Sequence, residues 1–266
     1  MTERPFLLRA APLWLRIKFY YRFFRAKKRR PELFRDAPLE FASGVRMDLF
    51  EGDEGHGQMA FTGFYELELS RRLFQLAEAG GLMVDVGANY GYFSLIWAAR
   101  NPRNRVIAYE ASPRNQPALV SNVSKNHLSG SITVKSLAAG NRPGKLGFHV
   151  GPPEQTGWGG LAFEGPQEKM VEVDVVRLDE DLAGEQSIEV LKIDTEGADT
   201  WVLEGAEGLL REKKIRHIFF EEHQGRMAKL GIAPAAAAEF LAGCGYKVER
   251  IDGAEDSKLS EFHAFI

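Results

Sequence analysis

The stretch "VDVGANYG", Val84–Gly91, decides how the rest of the chain is read. Its left half is a short apolar run interrupted by one acid, Asp85, and its right half is punctuated by Gly87 and Gly91. That pattern predicts a buried strand entering a tight turn whose backbone backs onto a ligand. A dinucleotide at such a turn needs G-x-G-x-x-G, because its pyrophosphate must come close to the backbone at a helix N-terminus. Here Asn89 fills the middle place, so the fingerprint is absent.

Working outward, apolar runs alternate with helical patterns. "LMVDVGA" (82–88), "RVIAYEA" (105–111), "SITVKSLAA" (131–139), "IEVLKID" (188–194) and "IRHIFFEEH" (215–223) read as buried strands. Residues 91–100, 113–126, 198–211 and 234–243 between them have helical character, with Pro113 and Pro234 placed as early-helix residues. This alternation implies parallel βαβ units and a doubly wound α/β sheet. "KLGFHVG" (145–151) and "KMVEVDVVRL" (169–178) read as strands flanking a Gly/Pro/Trp-rich loop, 152–166. "YKVERID" and "EFHAFI" read as a closing antiparallel hairpin at the far edge of the sheet. Glu110 ends the strand after the glycine turn, where an acid can accept hydrogen bonds from both hydroxyls of an adenosine ribose. Asp85 would repel a pyrophosphate but supports a cationic methionine moiety, so the turn favours S-adenosylmethionine over a dinucleotide.

Composition sets the outer limits. The 266 residues, 44% hydrophobic, suffice for one full-sized core with an appendage. Net charge is only −3, but residues 1–35 hold eleven Lys/Arg against two Glu, leaving 23 cations against 35 acids elsewhere. We divide the chain into a basic, aromatic arm (1–37) and a domain (38–266). A single cysteine, Cys244, excludes an intramolecular disulfide and a cysteine-rich zinc site. No run approaches the about 20 apolar residues that span a bilayer, and Arg16 and Lys18 break any signal-peptide core. The expectation is a cytoplasmic protein, resting in part on the inner membrane face. On a helical wheel Leu13, Trp14, Ile17, Tyr20, Tyr21 and Phe24 share one side of the arm, followed by "RAKKRR". An anionic membrane surface met through residues 1–30, packing on the acidic body or a second subunit, and nucleic acid (the least favoured) are its three readings.

"VDVGANYGYFSL", "AYEASP", "LKIDTEGADTWVLEGA", "FTGFYELELS" and "IFFEEH", taken in order, resemble the FkbM family of S-adenosylmethionine-dependent methyltransferases over about residues 60–225. The resemblance implies a Rossmann-like, seven-stranded class I methyltransferase sheet with helices on both faces. It also implies O-methylation of sugars or other hydroxylated metabolites. By position it places Asp85, Gly87, Asn89 and Gly91 around the methionine half of the cofactor, and Glu110 with Ala111 at the ribose. Leu137 and Ala138 would lie beside the adenine, and Asp194 and Glu196 where a strand end opens toward the methyl group.

An alcohol acceptor is a poor nucleophile and needs a base or a divalent cation. Asp194, Glu196, Glu222 and His223 end two consecutive expected strands. His223 is the favoured base, because an imidazole titrates near neutrality without much tuning. Asp194 and Glu222 offer an alternative use as ligands for Mg²⁺ or Mn²⁺. Tyr65, Glu66, Trp158 and Glu222 are candidate substrate contacts. Blander roles stand beside these. Asp194 can cap the helix near 198, and Tyr65 and Glu66 can pack or cap near 66. Glu222 and His223 can be a solvated strand end, and Trp158 can anchor its loop. The leading function is O-methylation of a sugar, glycolipid or polysaccharide precursor. RNA methylation through the basic arm and a non-catalytic cofactor-binding scaffold are the alternatives.

Overall fold

A computed structural model describes residues 4–25, 30–152, 154–161, 170–251 and 259–266. Lys27, Lys28 and Arg29 of the basic cluster, Pro153 and 162–166 of the long loop, and the 252–258 hairpin connection lie outside the described residues.

The arm holds α1 (Phe6–Ala10) and α2 (Leu13–Phe19), which runs into a π-helical turn at Tyr20–Phe24. A two-stranded ribbon, β1 (Ala37–Pro38) with β2 (Arg46–Met47), precedes α3 (Glu54–Thr62) and α4 (Leu67–Leu76). The main sheet opens with β3 (Leu82–Val86), α5 (Tyr92–Arg100), β4 (Arg105–Tyr109), α6 (Gln116–Lys125) and β5 (Ile132–Lys135). A second, four-stranded sheet is built from β6 (Ala138–Ala139), β7 (Gly144–His149), β8 (Gly160–Leu161) and β9 (Met170–Val176). The chain then returns through α7 (Leu178–Asp181), β10 (Ile188–Ile193), α8 (Asp199–Glu204), α9 (Glu207–Arg211) and β11 (Ile215–His223). It ends with α10 (Gln224–Lys229), α11 (Ala236–Gly243) and the hairpin β12 (Lys247–Arg250) and β13 (Leu259–Phe265).

The seven strands lie in the order β12-β13-β11-β10-β3-β4-β5, parallel except for β13, which runs antiparallel to both neighbours. Every residue of β3 is buried, as a central strand covered on both faces requires. Alternate residues face opposite layers: Met83 joins the core shared with α5, whereas Val84 joins the core with α8 and α9. Strand order reverses between β3 and β10, the switch point where open α/β sheets bind ligands.

Four local expectations shift. Pro113 lies ahead of α6, and Pro117 occupies its first turn instead. Pro234 precedes α11 by two residues, with Ala235 between them at φ +61°. The helical stretch 198–211 divides into α8 and α9. The run 131–139 divides between the two sheets, so residues 136–137 cross from one to the other.

The arm packs on α3. Arg16 donates to the Thr62 carbonyl at 3.2 Å and pairs with Glu40 at 2.7 Å, while Tyr20 and Phe24 approach the Phe61 ring at 5.7 and 5.6 Å. The apolar side of the arm is narrower than the wheel suggests. Leu13, Ile17, Tyr20 and Phe24 turn to the body, but Trp14 and Tyr21 stay exposed. Among the described residues no helix is long and apolar enough to cross a membrane.

Candidate active site

The glycine turn forms where β3 and β10 run side by side. Gly87 has φ +79°, and a Cβ there would sit 1.9 Å from the Asp194 carbonyl oxygen, so no side chain fits. Asn89 takes φ +51°, a left-handed conformation that Asn tolerates better than most residues. The Gly87 and Ala88 amides donate to the Tyr109 carbonyl at 2.9 and 3.0 Å, tying the turn to β4. Past β4, Glu110 accepts from the Asn89 amide at 2.6 Å and the Ser112 amide at 2.8 Å. Burial pushes its carboxyl up to about 7, although both amides favour the ionised form.

Gly87, Asn89, Glu110, Ala111, Leu137 and Ala138 line a hollow beside β6 and β7, about 580 Å³ with the open solvent at its mouth included. Asp85 and Gly91, expected in the same wall, line neither this hollow nor the cleft beside it. Asp85 is fully buried behind the turn, accepting from Ser94 Oγ at 2.6 Å and lying 3.6 Å from Lys192 Nζ. Gly91 begins α5 at φ +92°, and a Cβ there would strike Leu119. Both hold the turn from behind.

A second, open cleft of about 1300 Å³ lies on the other side of the turn. Tyr65, Glu66, Trp158, Asp194, Glu196 and His223, all singled out from the sequence, line it. The two spaces share Gly87, Asn89, Thr156, Gly157 and Asp194 as a common wall. Trp158 is half exposed with the Arg226 guanidinium 5.4 Å from its ring centre, so it belongs to the cleft wall and not to the core. Asp194 caps no helix: α8 has no side-chain cap, and Asp199 instead accepts from the Thr195 amide at 3.0 Å. Glu66 stands at the head of α4 with no capping bond.

Glu222 is the clearest misplacement. β10 and β11 are parallel neighbours, but strand alternation puts Ile218, Phe220 and Glu222 on the face toward α8 and α11. There Glu222 accepts from the Ala235 amide at 3.1 Å, and burial raises its carboxyl. The cleft receives Glu221 and His223. Asp194 and Glu222 therefore do not form the ligand pair that metal binding needs. The carboxylates that do converge are Glu66, Glu221 and Glu261, with oxygens within 4.8 Å of one another.

Lys192, missed from the sequence, is the cation at the cleft floor. It lies opposite Asp85 in the β10–β3 register, with Nζ 3.2 Å from Asp194 and 3.4 Å from the Gly87 carbonyl. Burial opposes its charge, but Asp194, Asp85, Glu66 and Glu221 outweigh that and raise its pKa well above the ordinary range. Too many acids surround one lysine, however. Burial first and Asp194 second push Glu66 and Glu196 each up to about 8, and Glu221 rises well above its usual value for the same reasons. A lysine inside an apolar strand run, "VLKI", was the available signal for this group.

A second group beyond the sequence reading anchors the loop. Asp53, at the head of α3, accepts from the Thr156 amide at 2.5 Å and its hydroxyl at 3.0 Å. Asn89 Nδ2 donates to the same hydroxyl at 3.2 Å, and Asn115 Nδ2 to the Thr156 carbonyl at 3.0 Å. These bonds fix Thr156 and Gly157 as the partition between the two spaces.

No curated protein matches the chain. Among solved structures, the chain is similar to a methyltransferase FkbM from Methylobacillus flagellatus KT, with TM-score 0.50, 18% identity and 70% of this chain covered. Only 44% of that chain is covered, so this protein spans less than half of its length. The METTL16 methyltransferase domain matches at TM-score 0.49 and 16% identity, over 84% of this chain and 73% of that one. Aeropyrum pernix fibrillarin, in complex with natively bound S-adenosyl-L-methionine, matches at TM-score 0.42 and 12% identity, over 71% and 67%. At such identities the likeness concerns the fold. The family model "Methyltransferase FkbM domain" matches residues 85–248, starting at Asp85 of the glycine turn and ending within β12. That match spans more than half of the sequence, and the chain belongs to the FkbM methyltransferase family.

Proposed function

We propose that the protein transfers a methyl group from S-adenosylmethionine to a hydroxyl of a sugar, glycolipid or polysaccharide precursor. The observation that carries this reading is the common wall. A small hollow walled by apolar and polar groups and a cleft lined by aromatic rings and carboxylates meet at Gly87, Asn89 and Asp194. Rings such as Tyr65 and Trp158 suit stacking on a sugar, and carboxyl groups suit its hydroxyls.

The lining of the smaller hollow suits the cofactor: the Glu110 carboxyl would accept from ribose hydroxyls, Leu137, Ala138 and Phe148 offer apolar walls, and Ser112 Oγ and Asn115 Oδ1 are buried there without hydrogen-bond partners. When bound, the cofactor supplies a methyl group already activated by its sulfonium charge. The chain's part is to place the acceptor oxygen in line and to take its proton. Burial and the nearby Arg226 lower the His223 pKa from 6.5, so its imidazole is neutral at pH 7 and free to accept that proton. Glu66, at about 8, is mostly protonated at pH 7 and serves better as a donor to acceptor oxygens, whereas Glu196, raised likewise by burial, is held as an ion pair by Arg226 Nε at 3.1 Å. Asp194, paired with Lys192, faces both spaces and positions the reacting oxygen.

Labelled methyl donor offered with nucleotide sugars, lipid-linked saccharides and RNA tests the reading directly. Label should enter a saccharide hydroxyl; label entering RNA alone overturns the proposal.

A further inference from the structure

Except for Tyr21 at the cleft, the exposed apolar groups on the outer side of the arm line neither space of the site. Ten large apolar side chains are exposed among the described residues, and Phe6, Leu7, Trp14, Tyr21 and Phe23 are five of them, all within the first 24 positions. Leu8, Arg16 and Tyr20 are buried against the body, so these groups occupy the opposite side of the same short helices. Phe6 and Trp14 are 74% and 55% exposed, a poor use of such surface in water.

Cations are interleaved with them. Lys18 lies 5.4 Å from the Trp14 ring centre, Arg22 is 5.5 Å from Phe23, and Arg9 is exposed on α1. Within residues 4–25 there is no acid, whereas beyond residue 35 acids outnumber Lys/Arg by 35 to 23. Positive charge and exposed rings therefore share one surface of a molecule that is otherwise acidic. A nucleic acid would use the cations but leaves Phe6 and Leu7 without a partner. A second copy meeting this side face to face would set like charges against each other.

We propose that this surface docks on an anionic lipid bilayer, with Phe6, Leu7, Trp14 and Phe23 entering the headgroup–acyl boundary and Arg9, Lys18 and Arg22 meeting lipid phosphates. Tyr21 belongs to the same surface and also lines the acceptor cleft, so docking brings the cleft mouth beside the membrane. On the methyl-transfer reading above, on which this step rests, the acceptor is a saccharide carried on a lipid.

Flotation of the full chain with phosphatidylcholine vesicles, with and without phosphatidylglycerol, tests docking without any turnover. The protein should float only with the anionic vesicles. Joint Phe6→Ser, Leu7→Ser and Trp14→Ser substitution, and separately Lys18→Glu with Arg22→Glu, should each lower the bound fraction roughly tenfold. All these side chains are exposed, so melting temperatures should stay at the parent value. As a check on the unaltered surface, brominated lipid should quench emission in the parent chain and much less in Trp14→Phe. The proposal is overturned by a protein that stays at the bottom with both vesicles, or by variants that float like the parent. It also falls if this surface retains RNA instead of vesicles, or mediates self-association that the serine variant abolishes. Failure here leaves methyl transfer to saccharides standing, and failure of transfer leaves the flotation result standing.

Discussion

Gly87 and Glu110 answer to different constraints although 23 residues apart. With the Asp194 oxygen 1.9 Å from any added Cβ, Gly87→Ala must part β3 from β10. Its unfolding free energy should fall by at least ~3 kcal/mol in a denaturant titration, or the chain should not accumulate folded. Glu110→Ala should cost about 1–3 kcal/mol of stability through the Asn89 and Ser112 amides it abandons, with the fold retained. The loss of charge-assisted bonds to a ribose predicts roughly 10- to 100-fold weaker S-adenosylhomocysteine binding by calorimetry. His223→Gln should lower kcat by about 10²- to 10⁴-fold with little change in cofactor affinity. It should also remove the acid limb of the pH–rate profile, which lies below pH 6.5 in the parent because its imidazole pKa is lowered. An unchanged profile would disqualify His223 as the base. These residues were legible because their signals are local: a positive-φ turn and an acid at the end of an apolar run.

At the scale of elements, legibility depends on phase and on distance along the chain. The strand "IRHIFFEEH" was readable as a strand, whereas its parallel pairing with "IEVLKID" is visible only in the sheet. Which of Glu221 and Glu222 enters the cleft depends on strand phase, and both faces of this strand are apolar, so no polar alternation marks the outside. Glu222→Ala should accordingly leave kinetics unchanged while costing about 1–2 kcal/mol of stability through the Ala235 amide it abandons. Glu221→Gln should alter KM for the acceptor. Asp53 and Thr156 are 103 residues apart, and nothing near either one announces the other. Their contact ties α3 to the loop, so Asp53→Ala should raise KM for cofactor and acceptor together, with kcat less affected. A change in kcat alone would show that the loop holds its place without Asp53.

Over the whole molecule, the surplus of acid around Lys192 becomes a pH dependence. Glu66 and Glu196 are raised from 4.5 to about 8 in the folded chain, so the native state binds more protons than the unfolded state between those values. Stability from these groups is then fullest below pH 4.5 and falls as pH climbs toward 8, with other groups held equal. Glu66→Gln, which keeps the shape and removes the titration, should flatten that slope. Melting temperatures measured from pH 5 to pH 8.5 should show the variant gaining on the parent as pH rises; parallel curves would refute the assignment. The alternation of buried strands and helices was foreseeable from the apolar runs, whereas the strand order and the way the arm is split between body and solvent were not. A helical wheel contains no information about which third of its circumference meets a neighbour.

Thr156 and Gly157 form a partition anchored through Asp53, Asn89 and Asn115, and a partition serves both of its rooms. Whatever first fills the smaller space presses on the boundary of the larger one. In kinetic language this favours compulsory order, with the methyl donor adding before the acceptor and its demethylated product leaving last. S-adenosylhomocysteine should therefore inhibit competitively against the donor and non-competitively against the acceptor. Random-order patterns would mean that the partition does not move.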